Sequence, residues 1–371
     1  MHIVSVSYAS PSRNSFLSRL ARTRFLVLIC MLGVPIGESA VAQSSKSAPA
    51  PVTCATCHVG VAAHYATAPM RHAMEPQSSD PVMAAHPNLT AKIGNYTYSV
   101  QTKDGKSTYT VSDSTNSLTL PIRWIFGLRT KTWVLEKDGL LYESLVSYFP
   151  RENALASTPG DQSITPTSLT EAMGRELSVW ESRSCFNCHA TGIVAGEKMV
   201  LEKLTPGLDC ERCHEGAQKH MADASHDNYS TLPKSLKRQD AEEVSNFCGQ
   251  CHRNWDTVVR NHWHGPAFVR FQPYRLSNSK CFIGNDKRIS CLACHDPHQP
   301  VSHDEAYYDS KCLACHSAAK AAAAASMAKV CAVAKSNCAT CHMPKIELPG
   351  GHTQFTDHQI RIARTGDPYP N

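Results

Sequence analysis

Seven times the chain sets two cysteines three positions apart and puts a histidine directly after the second. The sets are Cys54, Cys57 and His58; Cys185, Cys188 and His189; Cys210, Cys213 and His214; Cys248, Cys251 and His252. Cys291, Cys294 and His295; Cys312, Cys315 and His316; and Cys338, Cys341 and His342 complete them. They use 14 of the 17 cysteines. Two thiols one helical turn apart can each form a thioether to a haem vinyl group, and the next imidazole then lies beneath the iron. C-x-x-C-H is the attachment motif of c-type haem. Zinc ribbons also use C-x-x-C pairs but need no histidine after the second cysteine, and a disulfide framework is indifferent to histidine. With histidine at about one position in twenty, seven such placements by chance are not credible. The sequence therefore predicts seven c-type haems and their iron, with the seven motif histidines as proximal ligands.

An iron built for electron transfer usually has both axial places filled, whereas a catalytic one keeps a place open. Beyond the motif histidines and His2, eleven remain: His64, His72, His86, His220, His226, His262, His264, His298, His303, His352 and His358. Eleven candidates for seven places permit complete bis-histidine ligation. His220, six residues past His214, is out of reach of its own motif's iron and suited to cap a neighbour. His298 follows the turn-forming Asp296-Pro297, and His352 and His358 follow the last motif. These four and His72 are the candidate distal ligands, with Met70 and Met74 as thioether rivals to His72. His262 and His264 cannot both be assigned, and His64, His86, His226 and His303 read as solvent-exposed. No residue is assigned as catalytic.

The elements that position these groups fall into blocks. Arg13, Arg19, Arg22 and Arg24 precede the apolar run "FLVLICMLGVPIG", and "AVA" at 40–42 supplies small residues for cleavage. The expectation is a signal peptide over 1–42, cleavage near Gln43, and export to the periplasm or beyond. A linker and the first haem segment occupy 43–92. A β-rich insert spans about 93–150, where "NYTYSV", "STYTVS" and "KTWVLE" alternate around "KDG" turns. Five antiparallel strands would suit it. Residues 165–371 form a six-haem region of loop and short helix. Helices are expected over "SLTEAMGRELSVWE" at 168–181, over "DAEEVSNFCGQCH", and over the alanine-rich run at 318–334. The predicted fold class is thus mostly α, haem-organised, with much loop and a small antiparallel β insert.

Composition is ordinary for a globular chain, with a formal net charge of +5. Two propionates per haem would turn a slightly basic polypeptide acidic once loaded, and no basic tract suggests nucleic acid. At roughly 47 residues per motif beyond position 42, porphyrins would have to supply much of the core. Cys281 and Cys331 remain as an even pair, open to a disulfide or two free thiols.

With these pieces placed, the chain resembles the multihaem c-type cytochromes of the cytochrome c-552/c-554 type, a group related to hydroxylamine oxidoreductase and pentahaem nitrite reductase. "GLDCERCHEGAQKH", "ISCLACHDPHQP" and "CATCHMPKIELPGGHTQFTDH" carry the resemblance. It implies a mostly α fold and distal roles for His220, His298 and one or both of His352 and His358. "HYATAPMRHAM" replaces the Trp and Ser-His common after the first motif, and the C-x-x-C-K of the nitrite reductase does not occur. The expected function is single-electron relay between redox partner proteins. The alternative is an oxidoreductase acting on nitrite, hydroxylamine or tetrathionate at one five-coordinate haem. Self-assembly, or docking on a membrane-associated respiratory complex, is a third expectation.

Overall fold

The structure, a computed structural model, describes residues 53–192, 194–195, 198–284, 288–317, 330–348, 350–364 and 366–367. These belong to the unit Pro51–Asn371; the other unit, Met1–Ala50, lies outside the described residues and takes the expected signal peptide with it. Among the described residues no helix is long and apolar enough to cross a membrane.

Strands dominate the first half. Their order of appearance is β1 (Met74–Pro76), β2 (Asn88–Ile93), β3 (Tyr96–Lys103), β4 (Lys106–Ser112) and β5 (Ser117–Phe126). β6 (Thr132–Lys137), β7 (Leu140–Ser144), β8 (Val146–Phe149), β9 (Ala154–Ser157) and β10 (Gly174–Glu176) follow. One eight-stranded antiparallel sheet runs β10-β7-β6-β5-β4-β3-β2, with β1 also paired to β5, and it curls into a half-barrel. β8 and β9 make a separate hairpin. Asp104-Gly105 and Asp138-Gly139, all at positive φ, close the β3–β4 and β6–β7 hairpins, as two-residue turns between right-twisted strands require.

The expectation of a mostly α fold with a small β insert is therefore corrected: this is an α+β protein whose sheet is its largest element. The strands overrun the 93–150 window at both ends, because β1, β2 and β10 are recruited by pairing with β5, β3 and β7. The helix expected over 168–181 is likewise split. Leu169–Met173 is helical, then Gly174 turns the chain into β10, and a new helix, Val179–His189, starts at the Ser178–Glu181 capping box. A Cβ on Gly174 would lie 2.1 Å from the Glu143 carbonyl oxygen, so no side chain fits where β10 meets β7.

Both faces of the sheet are covered. Tyr98, Val100, Tyr109, Val111, Trp133 and Leu135 fill one core. The register shift in β5 between Ile122 and Trp124 reverses its alternation. Ile122 faces that core, whereas Trp124 and Phe126 face the other side with Met74, Val134, Leu141 and Phe186. Phe186 lies inside the second motif, and its ring meets Trp124 and Phe126 edge-on at 5.1 and 5.2 Å. The bulge thus turns the sheet into a seat for a motif-bearing helix.

Lys131 Nζ donates to Asp80 Oδ2 at 2.7 Å with both side chains buried, and Asp80 also accepts from the Val82 and Met83 amides at the start of helix Pro81–Ala85. Removing one partner strands a buried charge. Asp80→Ala should cost roughly 3–5 kcal/mol, read as a lower denaturation midpoint of the holoprotein.

Candidate functional site

Each motif sits on a short helix or at the end of a longer one: Cys54–Cys57, Val179–His189, Cys210–Cys213, Ala241–His252, Cys291–Cys294, Glu305–His316 and Cys338–His342. Where the helix is a single turn, the histidine amide closes it, as in His58 N to Cys54 O at 2.8 Å and His214 N to Cys210 O at 2.9 Å. The two thiols then share one side with the imidazole next to them. All described cysteines are free thiols. The expected Ala241–His252 helix is present, started by a capping box between Asp240 and Glu243.

Three motif histidines face a second histidine across a gap. His58 and His220 have ring centroids 6.4 Å apart, His214 and His298 5.9 Å, and His295 and His358 6.2 Å. With a metal–nitrogen bond near 2 Å, two imidazoles on opposite sides of one metal would have centroids about 6 Å apart. Direct ring contact would bring them closer. Among the described residues no group of three or more His, Cys, Asp or Glu could hold a metal ion by itself. Paired rings beside two thiols, and no compact cage, is the donor set that fits a covalently attached haem iron.

The hydrogen bonds fix which ring nitrogen carries the proton. His220 Nδ1 lies 2.7 Å from the Thr231 carbonyl, His358 Nδ1 2.9 Å from Thr356 O, His189 Nδ1 2.7 Å from Ala73 O and His342 Nδ1 2.9 Å from Arg361 O. A carbonyl only accepts, so Nδ1 carries the proton and Nε2 is left with its lone pair. His298 Nδ1 makes the same kind of bond at 3.0 Å to the Asp296 carboxylate, which the His298 amide holds below the usual carboxylate range. Burial pushes His358 down to about 4 and also lowers His189, His252 and His295. A lowered value favours the neutral imidazole, the form a metal ligand needs.

Of the five candidate distal histidines, His220, His298 and His358 are thus brought to motif histidines. His72 is not: its Nδ1 pairs with Glu75 Oε1 and its Nε2 with the Ala66 carbonyl. His352 packs over Phe149 at 4.5 Å, and Met74 is buried in the core behind the second motif. His86 contacts the Tyr148 hydroxyl. His264, left unassigned above, lines the same groove as His252. The sequence signal was only a pair of histidines near a motif. Cys281 neighbours Cys312 and Cys315, while Cys331 is exposed and accepts from the Ala334 amide. The alanine-rich stretch 318–329 lies outside the described residues.

Thiols of different motifs are also neighbours. Cys54 meets Cys210, Cys188 meets Cys251, Cys248 meets Cys291, and Cys312 meets Cys338. Cys213 stands near Cys248, and Cys294 near Cys312. All seven motifs are therefore joined in one series, first to third, fourth, fifth, sixth and seventh, with the second attached at the fourth. Helix Ala241–His252 packs against both Val179–His189 and Cys291–Cys294, and Glu305–His316 against Cys338–His342. Asp309 ties the last two motifs together by accepting from the Asn337 and Cys338 amides.

No curated protein and no solved structure matches the chain. Residues 153–216, which carry the second and third motifs, match the family model described as cytochrome c554 and c-prime. That likeness supports a c-type cytochrome, with covalently bound haem c and a role in electron transfer.

Proposed function

We propose that the protein is an exported electron-transfer protein that relays single electrons through seven covalently bound c-type haems between protein redox partners. When bound, each haem supplies an iron that gains or loses one electron. The chain's own residues do the rest. Fourteen motif cysteines would fasten the groups, the motif histidines would hold each iron from one side, and His220, His298 and His358 would meet it from the other at the first, third and fifth sites. The Thr231 and Thr356 carbonyls and the Asp296 carboxylate fix the presented nitrogen, which limits ligand rearrangement as charge changes.

The observation that carries this reading is the set of three imidazole pairs about 6 Å apart. Each distal ring comes from the segment following a later motif, so the sites interlock. An iron held by an imidazole on each side would suit electron transfer and would leave no room for substrate there.

Intact-mass spectrometry of holoprotein from a haem-attaching host should give the polypeptide cleaved near Gln43 plus seven haems. A mass equal to the bare chain ends the proposal. His220→Ala should convert one low-spin haem to high-spin in low-temperature EPR without changing haem content. Assays with nitrite, hydroxylamine, sulfite and tetrathionate and a reduced dye test the oxidoreductase alternative, and turnover of any of them would favour it.

A further inference from the structure

The fourth motif, where the second joins the series, borders a groove of about 510 Å³ whose lining includes His252, Arg253, Trp263, His264, Phe268 and Arg270. Among the described residues two guanidiniums and two imidazoles line it, with aromatic rings around them and no carboxylate in its wall. The groove of about 640 Å³ at the third motif contrasts with it: Arg212, Lys219 and Lys234 there are interspersed with Glu211 and Glu215. Like charges gathered without a counter-charge repel one another unless an anion is brought between them.

The backbone shows that this cationic wall is built. Arg253, directly after the motif histidine, sits at φ 63°, a conformation that disfavours any residue with a Cβ. It is held there on both sides: its amide donates to Gly249 O at 2.9 Å and its carbonyl accepts from the Tyr274 amide at 3.3 Å. A Cβ on Gly249 would come within 2.4 Å of Asn254 Cβ, so the chain folds back tightly over the motif. The result sends the Arg253 guanidinium over the Trp263 ring, 5.8 Å from its centroid. Trp263 in turn packs on Phe271 at 5.6 Å, and the neighbouring His264 lines the groove.

Resting on the relay reading, we propose that this groove completes the fourth haem site: His264 supplies the imidazole opposite His252, and Arg253 and Arg270 pair with the propionates of that haem. Adding an electron lowers the charge at an iron by one, so nearby fixed cations favour the reduced form. Arg253 and Arg270 therefore hold the fourth site at a higher reduction potential than it would have without them. The site at which the series branches is then one where electrons reside readily. A small oxyanion offers the same carboxylate-like chemistry, and the test separates the two sources.

The test uses full-length holoprotein with seven haems verified by mass, so that failure of the relay reading registers first and separately. Arg270→Gln and Arg253→Gln should each move one haem's midpoint potential downward in a spectroelectrochemical titration. Both together should move it further, and Arg270→Lys should restore most of the shift. His264→Ala should replace one low-spin EPR signal by a high-spin one, whereas His262→Ala, outside the groove, should not. Unmoved potentials in the Arg→Gln variants, or an unchanged low-spin count in His264→Ala, overturn the proposal. Nitrite added to wild-type protein should leave the low-spin signals unaltered; their loss would assign the cationic wall to a free oxyanion instead. Should a variant lose its haem, a holoprotein structure with His264 turned away from the iron on His252 overturns it equally.

Discussion

Made without haem attachment, the chain should keep its sheet and lose its motif-bearing half. The two cores explain the difference. One lies wholly between Met83 and Met173, and the other adds only Leu177, Phe186 and Ala190 from the second-motif region. Past residue 200 the buried apolar side chains among the described residues are few and scattered: Leu208, Ala217, Ala241, Val244, Val258, Phe268, Val269, Leu276 and Leu348. Several of these are alanine or valine, each worth at most a few kcal/mol of burial. The helices Cys54–Cys57, Cys210–Cys213 and Cys291–Cys294 are single turns, far below the length at which a helix persists alone. Binding that occurs only in the folded state stabilises it by mass action, and covalent haem takes that to its limit. Hydrogen exchange on protein made in a haem-free host should show amides of β3 to β7 protected by several kcal/mol. Those of the described residues between 205 and 364 should open at a cost near zero. Uniform protection along the chain would show that the polypeptide packs without porphyrin.

The motifs and three of their partner histidines were legible because that chemistry is local. A pair of thiols and an imidazole must be adjacent in the chain to share one turn, and His220, His298 and His358 each lie within a short segment that a preceding motif anchors. The sheet was legible only where alternation was strong. β3 and β4 read as strands from Tyr96 to Val111, but β1 is Met-Glu-Pro and β10 is Gly-Arg-Glu. Neither alternates, and each is extended because β5 or β7 offers it an edge. Counting haem motifs therefore overstated the helix, since each motif requires only one turn of it. His72 and His352 are not brought to a motif histidine, for a related reason. Glu75, the Ala66 carbonyl and Phe149 decide where those rings rest, and no spacing rule reports them. His264 was separable from His262 only through the folded turn around Trp263.

Asp357→Asn should both destabilise the protein and release His358, the proposed distal ligand of the fifth site. Asp357 is fully buried and accepts from Arg275 Nε and Nη2 at 2.8 and 2.9 Å, from Arg361 Nη1 at 2.7 Å and from the Gln359 amide at 3.0 Å. Burial alone would raise its carboxyl. The bidentate Arg275, the Gln359 amide and Arg361 outweigh that and hold it below the ordinary carboxylate range. Arg275 is 1% exposed, so a neutral residue at 357 takes the Asp357 charge away from a buried guanidinium, at a cost of roughly 3–5 kcal/mol. The neighbouring His358 depends on the same segment: the Asp357 amide donates to Pro344 O, and Ser279 Oγ bonds both His358 O and the Ile360 amide. If that segment loosens, the imidazole 6.2 Å from His295 loses its registration. The expected result is a lower denaturation midpoint together with conversion of one low-spin haem to high-spin. Replacing the pair jointly, Asp357→Leu with Arg275→Met, separates the two roles. Removing both charges should recover much of the stability, while the high-spin signal should persist, because Arg361 and Gln359 still lack the carboxylate that sets the His358 backbone. Recovery of stability and spin state together would mean that packing alone places His358.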